Sequence, residues 1–284
     1  MATGLRNPAP RSARVSALAW LQLVRLPNLL TVPGDPIAGT LLTGAALDWR
    51  PVTASVCFYA AGLISNDVFD AAEDTRDRPD RPIPSGRVSR TAAGIVAVAL
   101  AVTGLALVPT LIGVALLTAI ILYNAGGKRI PVVGAVNMGL CRGLSLLLGA
   151  ASFHPAAGLL ALYIAVVAGI ARHETTSRPV GWMRWLPAWV LAAGFAVIHP
   201  TPVALIAVVV AWIGGQALSE GHASAWPIRD TDAQKRIPPV IGLWIGALLP
   251  VQAAFCADAN PVVAAVLLAL WPVFRVLSRK FYAS

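Results

Sequence analysis

A chain of 284 residues with 57% hydrophobic and only 12% charged residues, at a mean hydropathy of +0.72, does not read as a soluble domain, where about a quarter of residues carry charge. It reads as an all-α, polytopic membrane protein. The net charge of +9 comes without basic–aromatic interleaving, which excludes a nucleic-acid binder, and three cysteines in apolar segments (Cys57, Cys141, Cys256) give neither a disulfide framework nor a metal-site spacing.

In chain order, residues 1–16 form a polar tail bearing Arg and Pro, expected to be cytoplasmic, and the rest, 17–284, reads as one membrane domain. The first apolar stretch lacks a cleavage pattern and is expected to be a retained helix. Apolar segments run over 17–47, 52–66, 91–107, 110–123, 132–151, 157–172, 183–198, 201–218, 238–256 and 260–277. About twenty apolar residues cross a bilayer, so these segments predict a bundle of nine or ten transmembrane helices, the shorter ones paired as hairpins. Nineteen of the 22 basic residues fall in or beside the alternate loops 1–16, 67–90, 124–131, 172–184, 218–237 and the tail. That bias sets these loops, and the chemistry they carry, on the cytoplasmic side of the cell (inner) membrane. The opposite turns are short and rich in proline.

Polar residues inside the apolar segments are the first candidates for function. Asn28 and Asp35 lie seven apart, on one helical face, with Pro33-Gly34 between them predicting a kink. Asp35 reads as a buried partner for an arginine or as a polar contact for a substrate. The largest interruption follows the second segment: six of the thirteen acidic residues fall between Asp67 and Asp80. Asp67, Asp70 and Asp74 share a helix face at i, i+3 and i+7. Crowded carboxylates need a cation, and Arg76, Arg78, Arg81 and Arg87 follow as a basic clamp. This combination suits magnesium carrying phosphate groups, since that ion takes few carboxylates plus phosphate oxygens and water.

Further on, Lys128 and Arg129 follow Gly126-Gly127 at the inner end of the fourth segment. They read either as positive-inside anchors or, for Lys128, as a phosphate contact. Arg142 lies among small and apolar residues and needs a partner at that depth; Glu174 or a bound phosphate is the expected one. Glu174 itself reads as an ion-pair partner of Arg172 or Arg178. Asp230 and Asp232 read as a solvated loop. Trp182, Trp185, Trp189, Trp226 and Trp271 fall near segment ends, as an interfacial belt does.

Asn66-Asp67-x-x-Asp70-x-x-x-Asp74 followed by Arg78-Pro79-x-Arg81-Pro82-Ile83-Pro84-Ser85-Gly86 resembles the first aspartate-rich motif of the UbiA superfamily of intramembrane prenyltransferases. The resemblance extends to Arg25-Leu26-Pro27-Asn28 and to Tyr123-Asn124-x-x-x-Lys128-Arg129. Leu30 to Asp35 and Cys141 to Ala150 resemble the EboC-like branch. The resemblance implies a UbiA-like bundle, open sideways to lipid, in which two aspartate-rich loops hold Mg2+ on the diphosphate of an isoprenoid donor. It implies Asn66, Asp67, Asp70, Asp74 and Glu174 as metal ligands, with Asp67, Asp70, Asp74 and Lys128 catalytic. Arg25, Asn28, Asn66, Arg81, Tyr123, Lys128, Arg142 and Glu174 would meet the substrate. The family's second motif, two aspartates four apart, is absent: the matching stretch from Ile170 to Pro179 offers only Glu174. The expected activity is magnesium-dependent transfer of a prenyl group to a small aromatic or lipid-like acceptor in the bilayer. A terpene cyclase and a non-catalytic lipid-binding or export partner are the alternatives.

Overall fold

The computed structural model describes residues 17–172, 180–199, 201–219 and 230–281. Glu174, the tail 1–16 and Trp226 lie outside them. Among the described residues every regular element is helical. The first apolar segment is not one helix with a single kink. It is three pieces, α1 (Ala17–Leu23), α2 (Leu26–Leu29) and α3 (Gly34–Leu42), broken at Arg25 as well as before Gly34. Arg25 takes a left-handed conformation (φ 46°, ψ 61°) that a residue with a Cβ adopts at a cost.

α4 (Trp49–Phe69) and α5 (Ala71–Asp77) carry the acidic motif, α6 (Arg90–Leu107) and α7 (Leu111–Ala125) form the next pair, and a 3-10 turn (Gly127–Arg129) leads into α8 (Pro131–Ala150) and α9 (Pro155–Ala171). After a second 3-10 turn (Gly181–Trp185) come α10 (Leu186–Ile198), α11 (Ala204–Ser219), α12 (Asp230–Gly246), α13 (Leu248–Cys256) and α14 (Pro261–Phe281). Among the described residues six stretches are long and apolar enough to cross a membrane: Trp49–Phe69, Arg90–Leu107, Pro131–Ala150, Gly181–Ile198, Pro238–Cys256 and Pro261–Arg279. Leu111–Ala125, Pro155–Ala171 and Ala204–Leu218 are shorter apolar helices.

Helix starts coincide with the polar and proline-rich turns. Asp48, Ser89, Thr110 and His154 accept the backbone N–H of Arg50, Ala92, Gly113 and Ala156, satisfying donors that the first turn leaves open. Pro131, Pro155 and Pro187 sit where a missing N–H costs nothing. The apolar faces point both ways: Ile95, Val98 and Val102 of α6 are exposed, as expected where lipid is the solvent.

The main core gathers α8, α9, α10, α11, α12 and α13 around Leu160, Leu191, Trp244 and Phe255. Two of its buried polar tips find partners that an apolar medium cannot supply. Tyr163 donates to the Trp244 carbonyl (2.7 Å), and Trp244 Nε1 donates to the Ala211 carbonyl (2.9 Å). A smaller cluster packs α1 and α4 with Ile83 and Val88 from the loop after α5. That loop is thereby pinned beside the acidic motif. α3 lies against α8 at backbone contact: a Cβ on Gly149 would come within 1.9 Å of the Pro36 carbonyl oxygen, and one on Gly39 within 2.0 Å of the Leu146 carbonyl oxygen.

Candidate active site

The acidic motif runs across the junction of α4 and α5. Asp70 is the hinge (φ −86°, ψ 0°), yet the backbone ladder continues through it, Asp70 N–H to Asn66 O (2.9 Å) and Asp74 N–H to Asp70 O (2.8 Å). The helical register survives, so Asp67 and Asp74 both turn inward and are buried, with Asp70 half-buried between them.

Three cations from three separate places meet this face. Arg81 Nη1 donates to Asp74 Oδ2 at 2.7 Å and stands 3.7 Å from Asp67 Oδ1. Arg25 Nη2 stands 3.9 Å from the same Asp67 oxygen. Lys128 Nζ donates to Asp70 Oδ1 (2.5 Å) and Asn66 Oδ1 (2.9 Å), crossing from the turn after α7. Asn124, one turn before Lys128, fastens α7 to α4 through Gly62 O (3.1 Å). The motif thus gathers Asn66, Asp67, Asp70, Asp74, Arg25, Arg81 and Lys128 in one mixed-charge cluster.

The basic clamp of four arginines reduces to Arg81. Arg87 directs its guanidinium to Gln22 Oε1 (2.8 Å), Ser85 Oγ (3.0 Å) and the Asp80 carbonyl (2.6 Å), which staples the loop to α1. Arg76 faces the other side of α5, lining a surface pocket of about 390 Å³ with Phe69, Ala72, Glu73, Asp77 and Arg129. Arg78 is exposed. The cause is geometric: only Arg76 lies within α5, Arg78 caps its end, and Arg81 and Arg87 sit on the loop beyond, so the four leave the backbone in different directions.

Two further residues have partners of their own. Arg142 does face the interior, and its partner among the described residues is Asp35; Glu174 lies outside them. Its Nε is 3.1 Å from Asp35 Oδ2, and its Nη2 donates to Asp35 Oδ1 (3.2 Å) and the Thr31 carbonyl (2.9 Å). Of the two readings of Asp35, the buried ion pair is the one the structure holds. Tyr123 donates its hydroxyl to Met138 Sδ at 3.5 Å. Asn28 is buried, and its side chain hydrogen-bonds with Tyr59.

Gln252, fully buried in α13, was not singled out by sequence reasoning; it donates Nε2 to Asp35 Oδ1 and the Thr31 carbonyl, both at 2.6 Å. Its signal was available, since an amide in the apolar run Leu248–Cys256 is itself an intramembrane polar residue. Ser55 and Ser145, bonded at 2.6 Å between α4 and α8, gave no comparable signal.

The donor set suits a hard cation: all four motif side chains offer oxygen. Asp67 Oδ1 is buried with no hydrogen-bond partner, an acceptor left for a cation to satisfy. Among the described residues, however, no three Asp, Glu, His or Cys groups converge as a metal cage. Each carboxylate faces a basic side chain instead, so a metal here would share its ligands with those cations or with a bound anion.

A family model described as the UbiA prenyltransferase family matches residues 36–281. Among curated relatives, digeranylgeranylglyceryl phosphate synthase of Methanopyrus kandleri is 34% identical over 165 residues, covering 54% of this chain. The match spans 60% of that relative's length. Two solved folds superpose more widely. A UbiA homologue from Aeropyrum pernix K1, solved without ligand, gives a TM-score of 0.62 at 14% identity over 81% of this chain and 97% of the other. A UbiA homologue from Archaeoglobus fulgidus bound to GPP and Mg2+ gives 0.52 at 12% identity over 83% of this chain and 99% of the other. With the family match extending across nearly every described helix, the chain belongs to the UbiA prenyltransferase family.

Proposed function

We propose that this protein transfers a prenyl group from a prenyl diphosphate to a lipid-like acceptor within the membrane, with the mixed-charge cluster at the α4–α5 junction as its active site. The observation that carries the reading is the pairing itself. Carboxylates of Asp67, Asp70 and Asp74 lie among Arg25, Arg81 and Lys128, at the end of a membrane-crossing helix. Such a face takes an anion through its basic groups and a divalent cation through its acidic ones.

In this reading Asn66, Asp67, Asp70 and Asp74 hold Mg2+, and Glu174 contributes from the second loop. Bound there, the ion supplies charge neutralisation for a departing diphosphate. Lys128, Arg81 and Arg25 bind and orient the diphosphate oxygens, and Asn28, Tyr123 and Asn66 line the approach. Asp67, Asp70, Asp74 and Lys128 are the catalytic set. The carbon–oxygen bond to diphosphate breaks, the leaving group keeps the electron pair, and the allylic carbon bonds the acceptor, which gives up its proton. Preorganised charge at the leaving group is the largest contribution such a site makes. Residues 17–284 act as one domain, and the arginine distribution supports a site facing the cytoplasm.

Relatives named digeranylgeranylglyceryl phosphate synthase make a prenylated glyceryl phosphate the acceptor to test first. The full-length chain in vesicles, given Mg2+ and geranylgeranyl diphosphate, is expected to release diphosphate only when geranylgeranylglyceryl phosphate is added. Cyclic hydrocarbon formed without acceptor replaces the transferase with a cyclase. Donor binding without turnover, with any acceptor, leaves a binding partner in its place.

A further inference from the structure

The second break in the first membrane helix leaves a backbone carbonyl that the helix does not satisfy. The Asp35 N–H, which a continuous helix would direct to Thr31 O, turns back to Val32 O (3.2 Å). No backbone donor among the described residues reaches Thr31 O. An unpaired carbonyl at this depth costs several kcal/mol by common estimate. Two side chains from distant helices supply the missing donors, Arg142 Nη2 from α8 (2.9 Å) and Gln252 Nε2 from α13 (2.6 Å). Asp35 aims both, because its Oδ1 accepts from each of them. The fit has a single register: Gln252 Oε1 occupies the space that a Cβ on Gly34 would enter, at 2.1 Å.

A short strut joins this knot to the active site. α2 is one turn, closed by Asn28 N–H to Arg25 O (2.8 Å) and by Thr31 Oγ1 to Asn28 O (2.8 Å). At its far end Arg25 holds the left-handed backbone that sends its guanidinium towards Asp67. A conformation of that kind persists only where its surroundings impose it, and a shift at Thr31 has only six residues in which to dissipate before Arg25.

We infer that Arg142 and Gln252 are positioning residues: by fastening the break at Thr31 they hold Arg25 and Asn28 at the diphosphate site, without touching substrate themselves. The inference rests on the diphosphate-binding reading given above.

Its test is binding of magnesium with inorganic diphosphate to the full-length chain in lipid nanodiscs, alongside the thermal midpoint of each variant. Gln252→Met removes the donor at constant length, and Arg142→Lys keeps the charge but loses the fork. Leu249→Ala, a fully buried apolar truncation on the same helix, is the control for lost packing. The dissociation constant is expected to rise about tenfold in both polar variants and to stay at the wild-type value in the control. Wild-type affinity in the polar variants, or an equal rise in the control, overturns the inference. Should Gln252→Met not fold, Arg142→Lys alone decides between these outcomes. A wild-type chain that binds no diphosphate removes the functional reading, and the inference with it.

Discussion

Two clusters in this protein use the same chemistry at different depths. At the α4–α5 junction, Asp67, Asp70 and Asp74 face Arg25, Arg81 and Lys128, and the basic side chains remain 15% to 37% exposed. In the bundle interior Asp35 faces Arg142, with side-chain exposures of 0% and 8%. The interior pair is closed by Thr31 and Gln252 and has fixed partners. On the function proposed above, the outer cluster, with its cations on long, partly solvated stems, exchanges a carboxylate for a phosphate oxygen. Burial, rather than residue type, separates the interior ion pair from the proposed binding site.

The sharpest way to break this contrast is to remove one charge from each cluster. Asp70→Asn is expected to lower turnover by about 10²–10³, while stability moves by about 1 kcal/mol or less, as for a partly exposed pair. Steady-state turnover with Mg2+ and a prenyl diphosphate measures the first, and thermal unfolding in detergent the second. Unchanged turnover would remove the active-site assignment.

Arg142→Met should behave in the opposite sense. It leaves the Asp35 carboxylate buried and unpaired, a change that costs about 3–5 kcal/mol. The double variant Asp35→Asn/Arg142→Met is expected to recover most of that loss, because no lone charge remains inside. A double variant as unstable as the single one would mean that the Thr31 contacts, not the ion pair, dominate.

Next in size is the close packing that holds the interior cluster together. Gly149→Ala places a methyl group against the Pro36 carbonyl, and overpacking of this kind costs about 1–3 kcal/mol. The expected outcome is a lower thermal midpoint together with weaker diphosphate binding, since α3 must move away from α8. A stability loss with intact binding would show that α3 can shift without disturbing Arg25.

How far the sequence reveals these two clusters differs for a physical reason. The acidic motif is local: spacing of three and four residues places its carboxylates on one face, and the structure keeps that register through the hinge at Asp70. Lys128 reaches it from 58 residues away, and only the family resemblance, not spacing, brought the two together. The interior pair spans 107 residues and Gln252 lies 217 from Asp35. That an intramembrane arginine needs a carboxylate is legible; which carboxylate depends on how α3, α8 and α13 pack. The left-handed turn at Arg25 carries no glycine to announce it, so the first apolar stretch reads as longer and straighter than the three pieces it forms.

The smallest expected effect tests whether every buried polar contact in this bundle serves the site. Ser55 and Ser145 join α4 to α8 by one hydrogen bond of 2.6 Å, and both are almost fully buried. Neither is charged, and among the described residues Ser55 makes no hydrogen bond to Thr31, Asp35, Arg142 or Gln252, whereas Ser145 also reaches Asp35. Ser55→Ala is therefore expected to cost about 1 kcal/mol, a neutral hydrogen bond's worth, with the partner hydroxyl free to turn towards a backbone carbonyl. Diphosphate affinity should remain at the wild-type value. A loss of affinity on the scale of Gln252→Met would mean that the α4–α8 contact also sets the site's geometry, and that the division between a sealed scaffold pair and an exchangeable outer cluster is drawn at the wrong helix.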